Sequence, residues 1–238
     1  MAKADYGLDY LKIAPSTEVD RSGYYQCPST TPNALQVVAD STTNPDTDEI
    51  KIGAVTPYMS TKTLEVGDYV VNVSLPVGSY IDFASIVGLP TFNVSAIVKD
   101  SFVYGDTAPT EENIEIEDSD DPFAVLKTDG GEKSFTVETY DMSAEAYAYL
   151  MGYAENNGWQ EEAISFDLPN QCVEFKTRKL GGHPAKIYQF ARMSVTVTRT
   201  GQVGKSDLPR FQMKFTKLAN YNASGEEIRG SRWKEVTA

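Results

Sequence analysis

Histidine is almost missing from this chain: His183 is the only one in 238 residues. A histidine-rich metal site cannot be built within one chain from that supply. A Ser-His-Asp triad would have to use His183, and no serine sits in the G-x-S-x-G setting of a nucleophile elbow. His183 itself lies in Gly-Gly-His-Pro, a turn by composition. Cysteine is nearly as scarce. Cys27 and Cys172 stand far apart and form no C-x-x-C pair, so a disulfide framework is excluded. Glycine-rich phosphate loops of the Walker or dinucleotide type are absent. No stretch approaches the ~18 apolar residues of a membrane span. Asp5 and Asp9 stand where a signal peptide needs an apolar run. These absences lead us to expect a protein made in the cytoplasm, with no cofactor, no metal, no membrane and no catalytic residues. The 34 acids make accidental carboxylate pairs inevitable, so a glycosidase reading has no specificity.

Positive charge is also in short supply, and its shortage is local. The chain carries 21 bases against those 34 acids, a net of −13. Such a balance argues against a general nucleic-acid binder, which needs a positive field to attract phosphates. It leaves room for a protein that nucleic acid must pass without sticking. Residues 1–130 hold 21 acids and 7 bases, whereas residues 171–238 hold 5 acids and 13 bases. A chain acidic at one end and basic at the other can pair with copies of itself, or neutralise itself inside one fold.

Hydrophobic residues make up 41% of the chain, enough for a core, and they alternate more often than they follow a helical period. Strands are expected over Tyr69–Leu75, Ser79–Val87, Thr91–Lys99, Phe135–Tyr140, Cys172–Arg178 and Ile187–Thr200. Another is expected over Arg210–Leu218, where Phe211, Met213 and Phe215 alternate with polar residues. The alternation in Ile187–Thr200 changes phase near Phe190-Ala191, which predicts a bulge. One helix is expected over residues 143–156. Tyr147, Leu150, Met151 and Ala154 form its apolar stripe, Asp141 or Ser143 its cap, and Asn156-Asn157-Gly158 its end. The fold class is therefore mainly β: an antiparallel β-sandwich or half-barrel with one flanking helix. A single domain over residues 1–238 is expected, with long loops at about 28–48 and 105–122.

The second loop holds eight acids and no base between Asp106 and Asp121. As a charge run it reads as a solvated, self-repelling segment. Asp118, Asp120 and Asp121 are hard oxygen ligands, but the glycine and distal glutamate of an EF-hand are missing. A second long connection, Gly201–Pro209, carries Lys205 and is followed by Arg210. Long connections in a compact domain are usually functional or disordered. Glu111, Glu112, Glu115, Glu117, Asp118, Asp120, Asp121, Lys205 and Arg210 are accordingly the candidate assembly contacts.

The order of these features carries a resemblance. An acidic segment, Pro122, a strand, Asp129-Gly-Gly131 and the strand Lys133–Thr139 lead into Tyr140-Asp-Met-Ser-Ala-Glu-Ala-Tyr-Ala-Tyr-Leu-Met-Gly152, and a block of strands follows. Over roughly residues 110–238 this pattern resembles the major tail protein, or tail tube protein, of long-tailed bacteriophages. The resemblance implies a structural virion protein that closes with copies of itself into rings, the rings stacking into a tube whose lumen conducts DNA during ejection. Its implied partners are further copies, the tape measure and terminator proteins of the tail, and DNA in transit. Head-to-tail contacts of unlike faces suit rings and open-ended stacks. The alternative is a β-sandwich binding or adhesion module, for carbohydrate or dependent on calcium, and not an enzyme.

Overall fold

The cleanest alternation of the sequence lies where Phe211, Met213 and Phe215 are fully buried and the intervening Lys214 is exposed. In the computed structural model of the protein, residues 6–27, 35–36, 68–84, 86, 88–114, 124–127, 130–179, 181, 183–203 and 207–236 are described. The first strands are β1 (Tyr6–Pro15), β2 (Arg21–Cys27), β3 (Leu35–Gln36), β4 (Tyr69–Leu75) and β5 (Phe92–Val94). Next come β6 (Val103–Tyr104), β7 (Glu111–Ile114), β8 (Ala124–Lys127), β9 (Ser134–Thr139) and the helix α1 (Ala144–Met151). A small hairpin, β10 (Ala154–Asn156) and β11 (Trp159–Glu161), leads to the long strands β12 (Gln171–Arg178), β13 (Ala185–Thr200) and β14 (Arg210–Lys217). The chain closes with β15 (Asn220–Tyr221), β16 (Glu227–Ile228) and β17 (Ser231–Val236).

The main sheet runs β5-β1-β12-β13-β14-β9-β6, with β17 also paired to β13. Every ladder in it is antiparallel. Its two ends meet. Just after β5, Ile97 bridges Thr139 at the end of β9, and the Val98 N–H donates to the Glu138 carbonyl at 2.8 Å. The segment that follows β5 thus pairs with β9, next to the far end of the sheet, and curls the sheet into a barrel, which removes most of its free edge. The expected class, mainly β and antiparallel with one flanking helix, is the class observed.

Two cores lie on either side of β12. Inside the barrel, Phe135, Phe175, Phe211 and Phe215 pack with Leu11, Ile13 and Val137, all essentially inaccessible. Phe135 stacks on Phe215 at 4.6 Å and meets Phe175 edge-on at 5.3 Å. Each such side chain contributes roughly 1.5–3 kcal/mol by leaving water. Outside the barrel, Ala14 and Cys172 face Tyr25 and Leu75 of the three-stranded sheet β2-β4-β3, closed over by Ile81, Phe83, Ile86 and Leu89. This second layer buries β12 on both faces.

The predicted bulge is present: Gln171 pairs with Met193, but Val173 pairs with Phe190. At that point β13 also changes its other neighbour, from β17 along Ala185–Phe190 to β14 along Met193–Thr200.

Several boundaries are corrected. The helix ends at Met151, not near Asn156, because Gly152 takes the left-handed conformation (φ 71°) and its N–H donates back to the Ala148 carbonyl. Ser143 is its cap, with the Oγ accepting from the Ala146 N–H at 3.2 Å. Leu150 is buried as expected, and Ala146 with it, whereas Ala154 is exposed on β10. Asn157-Gly158 turns a hairpin instead of closing a helix. Ser79–Val87 is not a strand. Its described residues turn, with the Ile81 N–H on Cys172 Sγ (3.4 Å) and the Ile86 N–H on the Asp82 carbonyl (3.1 Å), and its apolar side chains roof the second core. The strand expected over Thr91–Lys99 shrinks to β5, since Ala96 takes a φ of 47°. Within the loops expected at 28–48 and 105–122, β3 pairs with β4 and β7 pairs with β8.

Candidate assembly surfaces

The acidic segment is irregular over 105–110 and enters a β-hairpin at Glu111. Glu111 pairs with Lys127, Glu112 with Leu126, Asn113 with Val125 and Ile114 with Ala124, and these two strands form a sheet of their own. Glu111 and Glu112 are exposed. Glu115, Glu117, Asp118, Asp120, Asp121 and Lys205 lie outside the described residues.

Arg210 opens β14 and is engaged within its own chain. Its Nε lies 2.8 Å from Glu138 Oε2 and its Nη1 3.2 Å from Asp207 Oδ1, and the Glu138 charge raises its pKa further. Arg210 and the acidic hairpin, grouped by the sequence as contacts, are therefore not brought together through these pairs. Arg210 belongs instead to a polar outer face of β13, β14 and β9. Register places Thr196, Lys214 and Thr136 in one row and Thr198, Gln212 and Glu138 in the next. Gln212 donates to Glu138 at 3.1 Å, and Lys214 meets Glu132 at 2.8 Å, holding that carboxyl below its ordinary pKa. The charges of this face are largely neutralised in the plane of the sheet.

A second polar row crosses the other side of the barrel and was not foreseen from the sequence. Lys12, Glu174, Gln189 and Arg232 stand opposite one another on β1, β12, β13 and β17. The buried Glu174 accepts from the Tyr10 O–H at 2.7 Å and from the Gln189 amide. Gln189 in turn accepts from Arg232 Nε at 2.7 Å, and that guanidinium lies 4.1 Å from the centre of the Tyr80 ring. Burial, then the hydrogen bond to Glu174, pushes the Tyr10 phenol upward. Only knowledge of strand order could assemble this row, since its members are up to 220 positions apart.

Exposed large apolar side chains lie both on strands, as Trp159 on β11 and Trp233 on β17 do, and on connections. Trp159, Ile164, Val203 and Leu208 are all exposed, Trp159 at 74%. A groove of about 580 Å³ opens at the barrel seam between Leu8 and Phe102, with Arg178 and Lys99 at its rim. His183 is half-buried in the connection between β12 and β13. Among the described residues no group of three or more His, Cys, Asp or Glu side chains is placed to hold a metal ion, and no helix is long and apolar enough to cross a membrane.

No family model matches the chain, and no curated protein matches it.

Proposed function

We propose that this protein is a ring-forming structural subunit of a phage tail tube, whose stacked rings enclose a lumen for DNA. The observation that carries the reading is the contrast between the barrel and the hairpin β7-β8. The barrel closes most of its edge on itself and fills its own core, whereas the hairpin stands as a separate two-stranded sheet with exposed glutamates. A two-stranded sheet alone is marginally stable in water. Such an element gains order by meeting a second surface, and the basic C-terminal region of another copy has the complementary charge. Further copies, the tape measure and terminator proteins, and DNA in transit are the partners in this reading. An acidic excess suits a conduit that must not retain phosphates.

Negative-stain microscopy and light scattering over a concentration series test the proposal. Rings or tubes that grow with concentration are the expected result. Deleting residues 111–120 should leave a folded barrel that assembles poorly. A protein that stays monomeric at every concentration would overturn the reading.

A further inference from the structure

We infer that Asn157-Gly158 is a site of spontaneous chemical modification, where the chain converts asparagine to aspartate and isoaspartate through a cyclic imide. It is the only Asn-Gly step in the sequence. Glycine matters at the second position because its backbone nitrogen is the nucleophile, and a side chain there would obstruct its approach. Nothing lies within 4 Å of the point where a Cβ on Gly158 would stand, so no neighbour crowds that side of the Gly158 backbone. Every residue from Ala154 to Glu161 is exposed, which admits the water and hydroxide that the chemistry needs.

The reaction balances as follows. Gly158 N loses its proton to hydroxide and attacks Asn157 Cγ, forming a new C–N bond. The Cγ–Nδ2 bond breaks, and Nδ2 leaves as ammonia after taking a proton from water. A second water then opens the imide at either of its two carbonyls, giving aspartate or isoaspartate.

The folded turn holds this reaction back. Asn157 and Gly158 have φ values of 50° and 83°, the left-handed pair of a two-residue hairpin turn, and Asn157 Nδ2 donates to Asn156 Oδ1 at 3.1 Å. The restraint is weak, however. β10 and β11 share only three residue pairs and form a sheet of their own, so local opening requires no disruption of the barrel. The product cannot re-form the same turn if isoaspartate results, because the main chain gains an extra carbon between Asn157 and Gly158. It also adds a negative charge beside Glu155 and Glu161, and Asn156 already donates to the latter at 3.1 Å. Modification should therefore leave the hairpin open and Trp159 unrestrained while the barrel stays folded.

The test is peptide mapping by mass spectrometry of the intact protein incubated at pH 8 and 37 °C, with fragmentation that separates isoaspartate from aspartate. A synthetic peptide spanning Tyr153–Glu162 is the unstructured reference, and the Asn157→Ser protein is the blank. We expect conversion at Asn157, isoaspartate among its products, a rate that rises with pH, and a rate within about tenfold of the peptide's, as a marginal hairpin allows. Conversion should be undetectable at Asn222, which lies in another exposed turn but precedes Ala223. An Asn157 that stays intact while the peptide converts fully would overturn the inference, as would conversion at Asn222 before Asn157.

Discussion

Replacing Leu150 by alanine tests how the helix is held. Leu150 lies near the C-terminal end of α1, is 2% exposed, and joins the inner core beside Ala146. An eight-residue helix is too short to persist alone, so its stability comes from this buried stripe and from its caps. The substitution removes three buried carbons and leaves a cavity at the barrel wall, for which truncations of this kind cost ~2–5 kcal/mol. In a chain of this length that corresponds to a fall in Tm of roughly 4–20 °C. The assay is urea unfolding followed by both circular dichroism and tryptophan fluorescence, with the midpoint falling and the slope unchanged. Glu145→Ala, on the exposed side of the same helix, is the control and should stay within about 0.5 kcal/mol of the parent. A loss below about 1 kcal/mol for Leu150→Ala would mean that the helix is not seated on the core, and the account of the barrel wall would fail.

Other consequences follow from the same geometry. Reversing Glu111 and Glu112 to lysine should leave the unfolding midpoint within about 0.5 kcal/mol of the parent and weaken self-association, because rim charges act mainly on encounter. Sedimentation of the parent should show the same weakening as salt rises. Asp141 accepts from Ser95 Oγ at 2.5 Å and from the Ser143 N–H at 3.1 Å, and the first of these chiefly holds its carboxyl below the ordinary value. A depressed carboxyl stabilises the fold above its unfolded pKa of ~3.9, and that stability is lost as pH falls through the lower folded value. Asp141→Asn should therefore flatten the acid limb of the stability curve below pH ~4, measured by thermal melts. Cys172 is buried in the second core and desolvation pushes its thiol up to about 11. A thiol reagent at neutral pH should label it only at the rate of unfolding, and rapid labelling of the native protein would contradict the two-core arrangement.

The assembly residues divide along the line between local and distant information. The acidic run was visible at once because eight acids within 16 positions need no fold to be counted. That the run contains a strand was not visible, because Glu111–Ile114 has only four residues and pairs with Ala124–Lys127 across the intervening segment. Arg210 shows the converse. Sequence proximity joined it to Lys205 as a free cation for a neighbour, but the antiparallel register brings Glu138 to it from 72 positions away. The buried Glu174 row was invisible for the same reason.

What the sequence determined by itself is the alternation and the turns that interrupt it. Period two places Phe211, Met213 and Phe215 on one face whatever the neighbours are. The slip of that period at Phe190-Ala191 is enough to locate the bulge. The tertiary structure decided which of two signals won where they conflicted locally. The sequence offers Asn156-Asn157-Gly158 as the helix end, and the packing of Phe166 over Gly152 together with the pairing of Ala154 and Glu161 ends the helix earlier. Ser79–Val87 alternates like a strand, yet Ile81, Phe83 and Ile86 pack with Tyr25, Leu75 and Cys172 in a second core. Side-chain period is a property of the chain, but the burial it serves depends on which surface arrives opposite, and that is fixed only when strands distant in sequence have paired.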